Sequence, residues 1–516
     1  MNISRWVAHR AEWAPDSVAI HFRGVDLTYA AFEARVGRAA DALAGAIGVR
    51  PGERVAFLGF NSVEMLDILF ACARIGAMLV PLNWRLTGAE HLELLSDCEP
   101  AALVVEPEFQ RGIEPAIAVM PAVRAVALGG RAEGVADGRW SDWAELCAAA
   151  VYRADGAGEM SAPVLIVYTS GTTGRPKGAV LTQEALLVNA LNGIAALDMT
   201  SADHVMTVLP MFHVGGLNIH TTPAIYAGAQ VTIARRFDAG ETLLLIAARR
   251  PTLLLSVPTV AQALAGHRDF GRTDLSSLRA MTTGSSVVPE AVIRPWLERG
   301  IPVTQVYGLT ESGPTAIALP IADAAGKIGS CGKPLLHTEA RIVGADGRDV
   351  ERGQCGEIWL RGANVTQGYW RNAEATAEAF TGRWLHTGDV AHQDADGYFY
   401  VDDRKKDVVI SGGENVYPAE LERVLADCAD IAEAAVVGRA DPRWGEVPVA
   451  CVVPRSGARL DRDDVLALFQ GRLARFKHPR DVVFLESLPR TAMGKVQKFE
   501  LRERIGERGT PQASSP

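Results

Sequence analysis

Short apolar, strand-like runs alternate with amphipathic helical stretches up to about residue 310, and this alternation limits the fold more than any other feature of the chain. Residues 28–48 put Phe32, Val36, Ala40 and Leu43 on one helical stripe and Glu33, Arg35 and Arg38 off it. A short apolar strand follows at 55–59, then a helical stretch at 63–75 and a further strand at 78–81. Repeats of this kind imply stacked α/β layers with largely parallel sheets, since parallel neighbours need a long, usually helical, crossover.

Between about 325 and 402 the character changes. Short strands at 340–343, 357–361 and 398–401 are separated by Ala-Asp-Gly turns at 345–347 and 395–397, which predicts a small β-rich subdomain. The charged stretch 403–407 is a boundary. Beyond it, 418–426, 434–438, 450–453, 462–473 and 482–484 read as a compact α+β unit. The expected division is 1–405, 406–506 and a polar tail, 507–516, rich in Gly, Pro and Ser and expected to be disordered. A length of 516 residues suits two to four domains.

Composition removes several function classes. A formal charge of −9 argues against a nucleic-acid partner and a polybasic membrane anchor. The seven cysteines are scattered, odd in number and never in C-x-x-C spacing, which fits reduced thiols better than a disulfide scaffold or a zinc site. The longest apolar run, 66–82, contains Asp67 and Arg74 and ends near Pro81, so it is too short and too charged to span a bilayer. No signal-peptide core and no Ser-Lys-Leu ending are seen, and the cytoplasm is the expected location.

The chemistry concentrates in Tyr168-Thr-Ser-Gly-Thr-Thr-Gly-Arg-Pro-Lys-Gly178, after a strand-like run at 163–167. Glycines let backbone N–H groups approach an anion, hydroxyls add donors, and Arg175 and Lys177 add positive charge. That is a phosphate cradle. It differs from the Walker A loop, because Lys177 stands three residues after Gly174 and is followed by Gly178.

Five further segments follow in order: Pro210-Met-Phe-His-Val-Gly-Gly216, Tyr307-Gly-Leu-Thr-Glu311, His386-Thr-Gly-Asp389, Asp403-Arg-Lys-Lys-Asp407 with Ser411-Gly-Gly-Glu-Asn415, and Pro489-Arg-Thr-Ala-Met-Gly-Lys495. Together they resemble the adenylate-forming superfamily of AMP-forming acyl-CoA synthetases, peptide-synthetase adenylation domains and beetle luciferases, over about residues 5–505. The resemblance implies a large N-terminal domain of two α/β subdomains plus a β subdomain, with a small mobile α+β C-terminal lid.

It also implies roles. Thr169, Ser170, Gly171, Thr172, Thr173, Gly174 and Lys177 would hold the β- and γ-phosphates of ATP. Thr310 would touch the α-phosphate, and Glu311, with Thr172, would bind Mg²⁺, a hard ion suited to oxygen ligands. Tyr307 and Gly308 would flank the adenine, with Gly284 and Ser285 on its other side. Asp389 would accept the ribose hydroxyls, Arg404 would reach the ribose, and Lys406 would be the hinge. Lys495 matches the family's lid lysine, which bridges carboxylate and α-phosphate. His213 would line the mouth of the acyl pocket. Gly412, Gly413, Trp444 and Phe476 match positions that meet coenzyme A, although core packing serves Trp444 and Phe476 equally well. His478 stands where relatives often carry Arg or Lys.

A carboxylate does not react directly with a thiol at neutral pH, because its leaving group is hydroxide-like. Attaching AMP first creates a good leaving group, and that step needs mainly charge neutralisation around the phosphates. The implied activity is an ATP-dependent, AMP-forming carboxylate–CoA ligase for a medium- or long-chain fatty acid or an aryl acid such as a hydroxycinnamate. Val214 replaces the aspartate that pairs with an amino acid's ammonium in peptide-synthetase domains, which disfavours amino acids. A free-standing enzyme that loads a separate carrier protein is the alternative, and a homodimer stays open.

Overall fold

The computed structural model describes residues 2–135, 138–153, 156–169, 176–284, 288–411, 414–491 and 494–508. Four sheets organise them.

A seven-stranded sheet runs in the order Trp140–Asp142, Arg124–Ala127, Ala102–Val105, Arg54–Leu58, Met78–Pro81, Pro163–Thr169, Lys177–Thr182. Every pairing is parallel except the last, a hairpin whose tip is the phosphate-type loop. The nine-stranded sheet has its parallel centre in Val303–Tyr307, Ala280–Gly284, Leu253–Ser256, His204–Thr207, Gln230–Ile233 and Val18–Phe22, with antiparallel pairs at both edges. One apolar core joins the two sheets: Val55, Leu79 and Val164 from the first pack with Ile20, Val205 and Val231 from the second.

The helix Val63–Ile75 lies inside that core and buries every residue but Glu64, which explains its near-continuous apolar sequence. Its N-cap is Ser62, and Gly76 at φ 78° reverses the chain into Met78–Pro81. The run at 66–82 is thus a helix, a turn and a strand. Among the described residues no helix is long and apolar enough to cross a membrane.

One helix expectation shifts. The stretch 28–48 is an α-helix only over Tyr29–Asp41, capped by Thr28; Ala42–Ile47 widens into a π-helical turn closed by Gly48 at φ 86°. In the C-terminal unit the segment 462–473 is helical over Arg462–Ala467, and the chain then passes through turns to Gly471 at φ 72°. Glycine in the left-handed region ends helical propagation cheaply.

A five-stranded antiparallel sheet (Thr338–Val343, Gly356–Gly362, Phe380–Thr381, Trp384–Gln393, Phe399–Arg404) forms the β-rich part. The C-terminal unit has its own sheet, dominated by the hairpin of Ile431–Asp441 and Gly445–Pro454. Val436, Val452 and Phe469 pack on one face of it, Val437, Val449 and Leu501 on the other. All seven cysteines are free.

Candidate active site

The catalytic candidates converge where the first three sheets meet the C-terminal unit. The phosphate-type hairpin is fixed at its base, where Thr169 pairs with Lys177 and the Thr169 hydroxyl donates to the Lys177 carbonyl at 3.3 Å. Ser170, Gly171, Thr172, Thr173, Gly174 and Arg175 lie outside the described residues, as do Ser285, Gly412 and Gly413.

The segment 366–370, not singled out in the sequence, holds the exit strand of that loop. Val180 N–H donates to the Gly368 carbonyl at 3.1 Å, and Trp370 N–H to the Gly178 carbonyl at 2.7 Å. Tyr369 then does two things. Its hydroxyl donates to Glu311 Oε1 at 2.8 Å, and its ring lies 5.5 Å beneath Lys177 Nζ. Thr366 N–H secures the Glu311 carbonyl at 2.7 Å. The Tyr369 hydroxyl is held far above its ordinary pKa by burial and by the Glu311 carboxylate, so it stays a donor. Nothing in the sequence ties Tyr369 to Glu311, 58 positions earlier.

Tyr307 ends the strand Val303–Tyr307, and its hydroxyl donates to Asp389 Oδ2 at 2.9 Å. Asp389 pairs with Arg404 across adjacent strands, and Arg404 Nε meets Asp389 Oδ1 at 2.7 Å. That carboxylate raises the Arg404 pKa, and burial opposes it. The close backbones beside this trio require glycine. A Cβ on Gly284 would lie 2.4 Å from the Val306 carbonyl oxygen, and one on Gly308 would lie 1.7 Å from that of Pro314. Thr310 is buried at the start of the short 3-10 turn Thr310–Ser312.

Lys495 enters this site from the C-terminal unit. Thr491 N–H donates to its carbonyl and its own N–H to Thr491 Oγ1, so a tight loop presents the side chain. Gly494, at φ 76°, lies against Thr259, where a Cβ would sit 2.5 Å from the hydroxyl oxygen. Enclosure by protein pulls the Lys495 pKa down to about 8; Arg404 adds to this, and Asp389 and Asp407 oppose it. His213 caps the helix Val214–Asn218, accepting from Gly215 N–H at 3.0 Å on Nδ1. Desolvation, followed by the Lys495 ammonium, pulls its pKa down to about 4, leaving it neutral at pH 7. Lys495, His213, Asp389 and Arg404 thus share one electrostatic neighbourhood.

Other candidates sit elsewhere. Trp444 and Phe476 are 37% and 41% exposed, which excludes core packing. Their neighbours are cations of their own unit: Arg443 and Arg480 at Trp444, Lys477 at Phe476. His478 Nε2 meets the Leu473 carbonyl at 2.9 Å. Lys406 is exposed in the turn after the strand Phe399–Arg404, and its carbonyl accepts from Arg502.

Behind Tyr307 a narrow cavity is lined by Gly193, Ile219, Thr282, Thr304, Val306 and Thr315. Thr304 donates to Thr282 Oγ1, which meets His220 Nε2 at 3.0 Å. The Thr315 hydroxyl and His220 Nδ1 are buried without a partner among the described residues.

Two family profiles match the chain in succession. The sequence profile of AMP-binding enzymes matches residues 7–370, and that of the AMP-binding enzyme C-terminal domain matches residues 420–495. An indoleacetate–CoA ligase of Aromatoleum aromaticum is 48% identical over 511 residues, 98% of this chain and 99% of the relative. A feruloyl-CoA synthase of an Amycolatopsis species is 41% identical over 505 residues, again 98% and 99% of the two chains. Among solved structures, ATP-bound MatB from Rhodopseudomonas palustris superposes with a TM-score of 0.91 at 32% identity, covering 99% of this chain and 100% of that one.

Proposed function

The chain belongs to the AMP-binding enzyme family, and from that premise we propose that it is an AMP-forming ligase joining an aryl-substituted carboxylic acid to coenzyme A. The observation that carries the reading is that Lys495, from the C-terminal unit, lies within electrostatic reach of Asp389, Arg404 and His213. A lone ammonium brought to a site otherwise built for a nucleotide is suited to offset charge as two anions meet.

In this reading the acid's carboxylate attacks the α-phosphate of ATP and pyrophosphate leaves. Lys495 spans the two reacting anions, and Thr310 donates to the α-phosphate. Tyr307 lies along the adenine and Asp389 accepts from the ribose. Lys177 steadies the outer phosphates. Glu311, its Oε1 held by Tyr369, offers the hard oxygen that suits Mg²⁺, which would neutralise phosphate charge when bound. The unit 406–506 then turns about Lys406 and withdraws Lys495, and the coenzyme A thiol attacks the acyl carbon, releasing AMP. Trp444 and Phe476, exposed beside Arg480 and Lys477, are suited to the coenzyme's nucleotide.

An aryl acid is favoured over a fatty acid by the chain's likeness to aryl-acid ligases over nearly its whole length. The named relatives act on indoleacetate and ferulate. The test is pyrophosphate release across a panel of carboxylic acids with and without coenzyme A. Arylacetates or hydroxycinnamates should lead, with AMP release dependent on coenzyme A. Preference for acetate, a saturated long-chain acid or an amino acid would overturn the reading.

A further inference from the structure

On the face of the third sheet turned toward the C-terminal unit, three residues that the proposed reaction does not use come together. Gly356 pairs with Ala391, which sets Cys355 beside His392 on the neighbouring strand. His392 in turn pairs with Tyr400, and the two rings stack at 5.3 Å and 9°. The pairing then slips: Val390 meets Asp403 and Ala391 meets Val401, so Asp402 is the extra residue of a bulge. Bulges re-aim a side chain. This one brings the Asp402 carboxylate to the same group as the Cys355 thiol and the His392 ring.

The three groups hydrogen-bond to one another and lie close enough to share an ion after small adjustment. His392 Nδ1 lies 2.9 Å from both Asp402 oxygens, Cys355 Sγ lies 3.4 Å from Asp402 Oδ2, and all three ligand atoms fall within 4.8 Å of one another. Tetrahedral zinc, with bonds of about 2.0–2.3 Å, sets its ligand atoms roughly 3.3–3.8 Å apart. Modest side-chain rotation would admit an ion. One sulfur, one imidazole nitrogen and one carboxylate suit zinc and disfavour magnesium or calcium, which take oxygen.

The C-terminal unit closes over this group. Ala419 N–H donates to Asp403 Oδ2 at 2.9 Å, docking the helix Pro418–Ala426 on the strand that carries Asp402. Glu420, on the first turn of that helix, holds Lys477 Nζ at 2.5 Å.

We propose that Cys355, His392 and Asp402 form a binding site for a zinc-class divalent cation at the junction of the β sheet and the C-terminal unit. On binding, the thiol S–H bond breaks, its proton passes to solvent and a sulfur–metal bond forms.

The experiment uses the full chain, stripped with a chelator and dialysed against zinc or cobalt(II). Wild type should retain about one more equivalent of zinc than Cys355→Ser or His392→Gln, measured by elemental analysis. Cobalt should give a near-ultraviolet thiolate charge-transfer band that Cys355→Ser lacks. Without any variant, zinc should slow alkylation of Cys355 by iodoacetamide at least ~10-fold, read by peptide mass spectrometry. Equal zinc retention in wild type and folded variants, cobalt bound without a thiolate band, or alkylation indifferent to zinc would each overturn the site.

Discussion

The Tyr369 hydroxyl holds Glu311 Oε1 at 2.8 Å while the same ring supports Lys177 Nζ at 5.5 Å, so one side chain links the carboxylate to the cation of the phosphate-type hairpin. Hydrogen bonds to charged groups contribute about 1.5–3 kcal/mol. Tyr369→Phe should therefore weaken binding of magnesium–ATP by roughly tenfold or more. It should raise the magnesium concentration that half-saturates pyrophosphate exchange, and conversion of a synthetic acyl-adenylate to thioester should be nearly unchanged. Wild-type magnesium dependence and nucleotide affinity, the latter followed by a fluorescent ATP analogue, would remove Tyr369 from this role.

The position of Lys495 separates the two half-reactions. Lys495→Ala should lower acid-dependent pyrophosphate exchange by ~10²–10³, the scale for removing one transition-state electrostatic group. Thioester formation from a synthetic acyl-adenylate and coenzyme A should persist at a substantial rate. Equal losses in both assays would mean that Lys495 only supports the structure.

The same lysine sets a pH limit. Its ammonium is the charged form and is destabilised by enclosure, so its pKa is lowered to about 8 and the charge is lost as pH rises through that value. The kcat/KM for adenylate formation should be flat through neutrality and fall above pH about 8. Lys495→Arg, which does not deprotonate, should retain part of the activity and abolish that limb. A limb unmoved in Lys495→Arg would assign the ionisation to another group.

Three enclosed imidazoles predict acid lability. Burial lowers His204 and His213 to about 4 and His220 to about 3. Below their unfolded value near 6.5, the unfolded chain binds protons that the folded chain refuses, so stability falls as pH drops from about 6.5 toward 4. The full slope is about 1.4 kcal/mol per pH unit for each group. The urea midpoint should drop markedly between pH 7 and pH 5, and His220→Gln should flatten that dependence by about a third of its slope. A midpoint that stays constant over this range would contradict neutral, buried imidazoles.

Much of the fold was legible because its signals are local. Val63–Ile75 carries an N-capping serine, an apolar run and a terminating glycine, and Met78–Pro81 is a short apolar run ended by proline, so both match their expected bounds. The family resemblance was legible for the same reason, since six short motifs keep their order without reference to contacts. Helix ends were less legible. The π turn at Ala42–Ile47 depends on how those residues pack.

The sequence by itself determined the layered α/β architecture, the family and the set of chemically capable residues, because periodicity, capping and motif order are properties of neighbouring positions. Tertiary structure alone decided which of those residues meet. Docking of the C-terminal unit puts Lys495 in the electrostatic range of Asp389 and His213, and a bridge from Ala179 to Tyr369 sets the ring whose hydroxyl reaches Glu311. Cys355, His392 and Asp402 converge through sheet register and one bulge. Trp444 and Phe476 could be core or surface until packing left them exposed. Contacts between residues tens to hundreds of positions apart are set by how buried faces and strand registers fit together, and no local pattern records that fit.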